Sequence, residues 1–380
     1  MKCASYDAIT TAFEQNVLRL NEAKAAGKKV VGQFCLYTPS EIALAAGAIP
    51  VSLCGTRNDS IPAAEEFLPR ALCPLIKSSF GFGVKDSCAY LAASDLVVAD
   101  TTCDGKKKMY ELFDFKPLYM LQLPQIQDDD ALSYWRGQFA KLVAHMESLF
   151  EVEITEEKLQ DAIKLMNRER LALKAVMDLA QRKPSPITGQ ELVEICFKTS
   201  FFPDKEVGIG MLNNLAEELG TLGGHGKGEA KTNGSAPRIL LTGVPVGVGS
   251  HKVVRLVEES GGSVVCLDNC SGYKKTRVMV DENSDALTTL AERYLHVPCA
   301  VMSPNPFRYE AINVMARDFS VDAVIDLTWQ GCQTYAVESS SLKKHVQNEL
   351  KLPFLQIETD YSETDTEQLK VRIEAFLEML

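Results

Sequence analysis

Val30-Val31-Gly32-Gln33-Phe34-Cys35 and Ile49-Pro50-Val51-Ser52-Leu53-Cys54 are two short apolar runs on either side of Pro39 to Gly47. Runs of that length, rich in branched residues and bounded by turn formers, read as buried strands. The stretch between them reads as a helix, with Thr38 as N-cap and Glu41 three residues on. Strand, helix, strand in close succession requires a crossover, and so a parallel sheet. Working outward, residues 7–27 form an amphipathic helix on Ile9, Phe13, Val17 and Leu20, stopped at Gly27. Asp95 to Asp100 and Lys116 to Leu123 supply a third and fourth strand.

From about residue 128 the pattern turns helical, over 130–150, 155–181 and 188–198, with a break at Pro184–Pro186. Thr155 followed by Glu156 and Glu157 makes a capped, acid-rich helix start. Gly223-Gly224-His225-Gly226-Lys227-Gly228, running on to Ala236-Pro237, has the composition of a linker. Beyond it the strand–helix alternation restarts, with strands at Arg238–Thr242, Ser263–Leu267, Val321–Leu327 and Phe354–Ile357. Helices are expected at 249–260, 284–295, 306–317, 333–348 and 364–379. The expected organisation is an N-terminal α/β domain (1–127), a helical segment (128–222), a linker (223–237) and a C-terminal α/β domain (238–380). The fold class is α/β, with two doubly wound parallel-sheet domains facing a central crevice.

A chain of 380 residues is long enough for two cores, and 46% hydrophobic with 24% charged residues is ordinary for a globular protein. A net charge of −11 argues against nucleic acid as a partner. The N-terminal segment carries Asp7, Glu14, Arg19 and Glu22, so it lacks a secretory apolar core, and no apolar run reaches the roughly 18–20 residues of a membrane helix. A cytoplasmic, non-membrane protein is the expectation. In that compartment thiols stay reduced, so the eleven cysteines read as ligands, catalysts or core residues rather than bridges.

Six of them stand where strands or the loops after them run out: Cys35, Cys73, Cys103, Cys270, Cys299 and Cys332. Ligands of open parallel sheets bind beyond the carboxyl ends of strands, so two such domains face to face would bring both thiol sets to one crevice. The halves look alike: Cys54, Cys73 and Cys103 in one follow the same plan as Cys270, Cys299 and Cys332 in the other. Thiols gathered in a cleft make a soft-ligand site for an iron–sulfur cluster or zinc. Zinc staples usually show close pairs such as CxxC, and none is present. A cysteine nucleophile needs a partner base, and among five histidines only His296 neighbours one of the six, Cys299. Lys106-Lys107-Lys108, after Cys103, either offset the charge of a thiolate cluster or form a solvated basic turn. Thr242 to Gly249 sits between strand and helix as a phosphate loop would. It has neither GxGxxG nor GKS/T and reads as a tight turn. Cys3, Cys88, Cys196 and Cys266 read as terminal, loop or core residues, whereas Cys54 ends a strand and competes for a place at the site.

Gly32 to Glu41, Leu68 to Lys77 around Cys73-Pro74, and Thr101 to Glu111 around Cys103 resemble the cysteine motifs of the 2-hydroxyacyl-CoA dehydratase D-component family. That superfamily also contains benzoyl-CoA reductase subunits and double-cubane cluster proteins. With Asn269 to Gly272, Gln330 to Ser339 and Ile357 to Ser362, the whole chain resembles the double-cubane branch most. The resemblance implies an [8Fe–9S] double-cubane cluster on Cys35, Cys73, Cys103, Cys270, Cys299 and Cys332, with Cys54 as the runner-up to Cys35. In two cubanes joined through one sulfide, the six remaining irons each take one thiolate. The resemblance further implies that the cluster itself reduces small molecules, that an ATP-hydrolysing iron–sulfur activator supplies low-potential electrons, and that the protein is a homodimer. Lys106, Lys107 and Lys108 would offset cluster charge and Glu41 would orient the first helix after β1. The alternative within the family is a subunit of an (R)-2-hydroxyacyl-CoA dehydratase. It would hold one [4Fe–4S] cluster on Cys35, Cys73 and Cys332 and leave one iron open.

Overall fold

The computed structural model describes residues 3–221 and 235–380; most of the linker expected at 223–237 lies outside the described residues. Among the described residues eight strands form: β1 (Val30–Gln33), β2 (Ile49–Ser52), β3 (Leu96–Asp100), β4 (Leu118–Leu121), β5 (Arg238–Gly243), β6 (Ser263–Asp268), β7 (Ala323–Trp329) and β8 (Phe354–Thr359). They build two four-stranded sheets with the orders β2-β1-β3-β4 and β6-β5-β7-β8. All pairings are parallel, with Val31 opposite Pro50 and Leu96 in the first sheet, and Leu241 opposite Leu267 and Ile325 in the second. The second sheet therefore repeats the strand order of the first, as the similar cysteine layout of the halves suggests.

The central strands explain why their sequences are apolar throughout rather than alternating. Every residue of β1, β3, β5 and β7 is buried, whereas the edge strands β4 and β8 carry exposed positions. A parallel sheet is covered by helices on both faces, so neither face of its inner strands meets water. One continuous apolar core runs through both sheets and the helices between them. The helices Asp129–Phe150, Glu156–Asp178, Gly189–Thr199 and Lys205–Thr221 lie in sequence between the sheets. The Thr155 hydroxyl accepts from the Lys158 N–H at the start of the second of these, as its capping pattern predicts.

The two halves meet at the carboxyl ends of their strands. The Tyr37 hydroxyl donates to the Val297 carbonyl (3.1 Å), Tyr361 to the Gly55 carbonyl (3.1 Å) and Thr56 to the Val248 carbonyl (2.7 Å). Gly331 has φ +76°, and a Cβ there would stand 2.4 Å from the Ala71 carbonyl oxygen and 3.1 Å from the Cys73 nitrogen. Only glycine lets the backbone after β7 lie against the backbone before Cys73.

Three local expectations are corrected. The helix Ser40–Ala45 starts one residue later than Thr38 requires: Pro39 is its N-cap, and the Thr38 hydroxyl is buried without a partner. Cys73, expected in a loop, is the N-cap of an eleven-residue helix, Pro74–Val84. The lysine triplet falls on a short helix, Asp104–Met109, that divides it. Lys106 points inward, and Lys107 and Lys108 are exposed and paired with Asp104 and Glu111.

Candidate metal centre

Cys35 lies two residues past β1, Cys54 two past β2, Cys103 three past β3, Cys270 two past β6 and Cys332 three past β7. Parallel strands all end on the same side of their sheet, so the thiols of each half gather at one edge. The contact between the halves then sets the two edges against each other. Cys73, Cys103 and Cys332 are also the N-caps of helices, where free backbone N–H groups favour a thiolate.

The six thiols and Cys54 form one connected set. Cys73 and Cys332 are close enough for each to shift the other's titration. Cys103 lies in the fields of Cys332 and Cys299, Cys35 in those of Cys270 and Cys299, and Cys270 in those of Cys299 and Cys54. All eleven cysteines are free thiols. Cys196 and Cys266 are buried in a helix and a strand, Cys196 against the cavity that Cys35, Cys54 and Cys270 also line, and Cys88 shares a second cavity with Cys54. Cys54 belongs to the set spatially, but its sulfur is occupied by the Phe34 carbonyl at 3.6 Å.

Burial decides the protonation of most of these groups. It pushes the Cys35, Cys54 and Cys103 thiols up, and Cys270 up to about 12 with help from the neighbouring Cys299. Cys73 is raised chiefly by the neighbouring Cys332 thiol, and by burial besides. Cys332 is the exception: the neighbouring Cys73 thiol lowers it to about 7 against the pull of burial, and the Tyr335 N–H adds to the effect. Crowded thiols, two of them buried and four half-buried, resist ionisation on their own. A positively charged core would supply the missing counter-charge and release the protons. Among the described residues no three His, Cys, Asp or Glu side chains are disposed to hold a single metal ion. The donors are all sulfur, and their spread suits a group larger than one ion.

The surroundings are polar in ways the sequence does not advertise. Lys106 donates to the Phe34 carbonyl (3.1 Å) and faces the fully buried Asp100 at 3.6 Å, beside Cys35 and Cys54. Tyr335 contacts the Cys299 sulfur at 3.8 Å and accepts a bond from Lys274 (2.9 Å). Its hydroxyl is held well above the usual phenol range by burial and by the adjacent Cys299 and Cys270, so it stays protonated and can donate to sulfur. Behind it, Arg308 joins Glu338, Asp326 and Asp268 in a buried network. Tyr37 and Tyr335 lie within cysteine motifs and Tyr361 in the stretch Ile357–Ser362, yet only their spatial position marks them as neighbours of the thiols. Glu41 is fully buried and accepts from Arg170 and from the Tyr294 hydroxyl (2.8 Å), tying Ser40–Ala45 to two helices far along the chain. A cavity of about 120 Å³ opens against Cys35 and Cys270.

No helix among the described residues is long and apolar enough to cross a membrane. A family model described as 2-hydroxyglutaryl-CoA dehydratase, D-component, matches residues 35–380. An Escherichia coli K12 protein named as a dehydratase subunit, YjiM, is 42% identical over 379 residues, 99% of this chain and 98% of its own length. The (R)-phenyllactyl-CoA dehydratase beta subunit of Clostridium sporogenes is 24% identical over 370 residues, 95% of this chain and 94% of its own. A benzoyl-CoA reductase subunit of Thauera aromatica is 22% identical over 275 residues, 71% of this chain and 68% of its own.

Proposed function

Because the chain belongs to the 2-hydroxyglutaryl-CoA dehydratase D-component family, we propose that it is an iron–sulfur reductase whose Cys35, Cys73, Cys103, Cys270, Cys299 and Cys332 hold an [8Fe–9S] double cubane. The observation that carries this reading is that thiols of both halves stand just past the strand ends where the halves meet, with the backbone at Gly331, next to Cys332, lying against that of Cys73. A single cubane with three protein ligands would leave half of the six thiols without a task. When bound, the cluster would supply storage and low-potential transfer of electrons.

The chain's own groups fit that use. Lys106 and Lys274 place positive charge beside the thiols, and the Tyr335 hydroxyl gives Cys299 a donor, which stabilises electron density on sulfur. Cys73 and Cys299 are buried and the other four are half-buried, which limits the water that reaches them. Electrons come from a separate ATP-hydrolysing iron–sulfur activator, and two copies of the chain form the working unit. Lys107 and Lys108 point to solvent and take no part.

A second reading has an observation of its own: relatives aligned over nearly the whole chain carry the names of CoA dehydratase subunits. On that reading Cys35, Cys73 and Cys332 would hold one [4Fe–4S] cluster, which would supply a Lewis-acid iron for the dehydration of a 2-hydroxyacyl-CoA. Single alanine variants at Cys103, Cys270 and Cys299, purified without oxygen, separate the two. The double-cubane reading expects each to lose much of its iron, whereas unchanged iron in all three would refute it.

A further inference from the structure

The cavity against Cys35 and Cys270 is walled by donors that have nothing to bind. Gln33, Thr38, Arg170 and Arg293 line it, and each carries a buried atom without a hydrogen-bond partner: Gln33 Nε2, Thr38 Oγ1, Arg170 Nε and Arg293 Nη1. Their residues are 8%, 3%, 2% and 4% exposed, so bulk water does not reach them as it reaches a surface group. Buried polar atoms are nearly always satisfied, and four idle groups around one space mark a place for something that accepts.

Charge sharpens the reading. Arg170, Lys205, Lys275 and Arg293 line the cavity. Against them stand two carboxylates, Glu169 between the lysines and Glu41 behind Arg170. Two positive charges are left over in a buried space. Burial, with Arg170 close by, brings Arg293 down to about 10, and burial also lowers Lys275. The excess does not serve the thiols: the electrostatic neighbours of Arg293 are Arg170, Tyr294 and Glu41. The volume of about 120 Å³ is below the range of drug-sized pockets and admits a molecule of few atoms.

We propose that this cavity is the substrate subsite, and that it takes a small carboxylate held by Arg293, Thr38 and Gln33 with its body toward Cys35 and Cys270. The assignment rests on the cluster reading above only for what happens to the molecule; the binding itself needs only the donors. It narrows the substrate to a small organic anion.

Calorimetry on the anaerobically purified full-length holoprotein tests it, with acetate as the probe and neutral acetamide, nearly the same shape, as the control. Acetate should bind at least tenfold more tightly than acetamide. Arg293→Gln should lose at least tenfold of acetate affinity with unchanged iron per chain. Thr38→Val, which removes one donor without altering volume, should lose several-fold and guards against a folding defect in the first variant. Equal binding of acetate and acetamide, no acetate binding, or wild-type acetate affinity in both variants would overturn the proposal. The two readings fail separately. A single-cubane iron count with charge-selective acetate binding would sink the double cubane and leave the subsite standing; a full double-cubane count without acetate binding would do the reverse.

Discussion

Gly331→Ala is the substitution that most directly strains the junction between the halves. Two costs add. Ala at φ +76° sits in the left-handed region, which costs about 1–2 kcal/mol. Its Cβ would also lie 2.4 Å from the Ala71 oxygen, where ordinary contact begins at 3.4 Å, so the backbones must part by about 1 Å. Forcing an extra carbon into a packed site costs about 1–3 kcal/mol. The expected loss is therefore about 2–5 kcal/mol. Gly47→Ala isolates the first cost, because Gly47 has φ +74° and nothing within 4 Å of the added carbon. Any gain from stiffening the unfolded chain is common to both variants and cancels. Denaturant unfolding of the two should differ by about 1–3 kcal/mol, the contact term alone. Because the parting falls between Cys73 and the residue before Cys332, Gly331→Ala should also lower iron per chain while Gly47→Ala leaves it unchanged. Equal stabilities together with wild-type iron in both would show that the junction does not set the thiol geometry.

Three further outcomes follow from neighbours of the thiols. Lys106→Met strands the fully buried Asp100 carboxylate and should destabilise the fold by about 3–5 kcal/mol in denaturant titration; Lys107→Met, at an exposed pair, should stay within about 0.5 kcal/mol. Tyr335→Phe removes a donor from the Cys299 sulfur, so redox titration should find the midpoint potential more negative, by on the order of tens of millivolts. In cluster-free protein Cys332 should be the first of the six to react with iodoacetamide. Its thiolate is favoured, so its rate should rise with pH through about 7 and level off above it, while Cys270, held near 12, stays inert throughout. Mass spectrometry of the alkylated peptides at pH 6, 7 and 8 reads this, and Cys270 reacting first would contradict it.

The strand–helix alternation was open to reading because inner parallel strands are buried on both faces and show it as unbroken apolar runs. Strand ends were overrun by a residue or two at Phe34-Cys35 and Leu53-Cys54, where the apolar run continues into the loop that carries the thiol. The helix Pro74–Val84 escaped because it is buried nearly all round and carries Gly81 and Gly83, which leaves no amphipathic stripe. Three adjacent lysines are identical in sequence, and only the turn of the helix makes Lys106 a buried partner of Asp100 and the others solvent groups. Arg170 and Arg293 lie more than a hundred residues from Gln33 and Thr38, so no local pattern could reveal the cavity they share. The cysteines could be read as candidates for one site because strand ends in a parallel sheet converge, a rule of topology rather than of spacing.

Iron and acid-labile sulfide per chain in protein purified without oxygen bear most directly on whether six thiols from both halves grip one inorganic core. A double cubane in each chain predicts about eight irons and nine sulfides. A value of about four of each, in fully occupied protein, would contradict it.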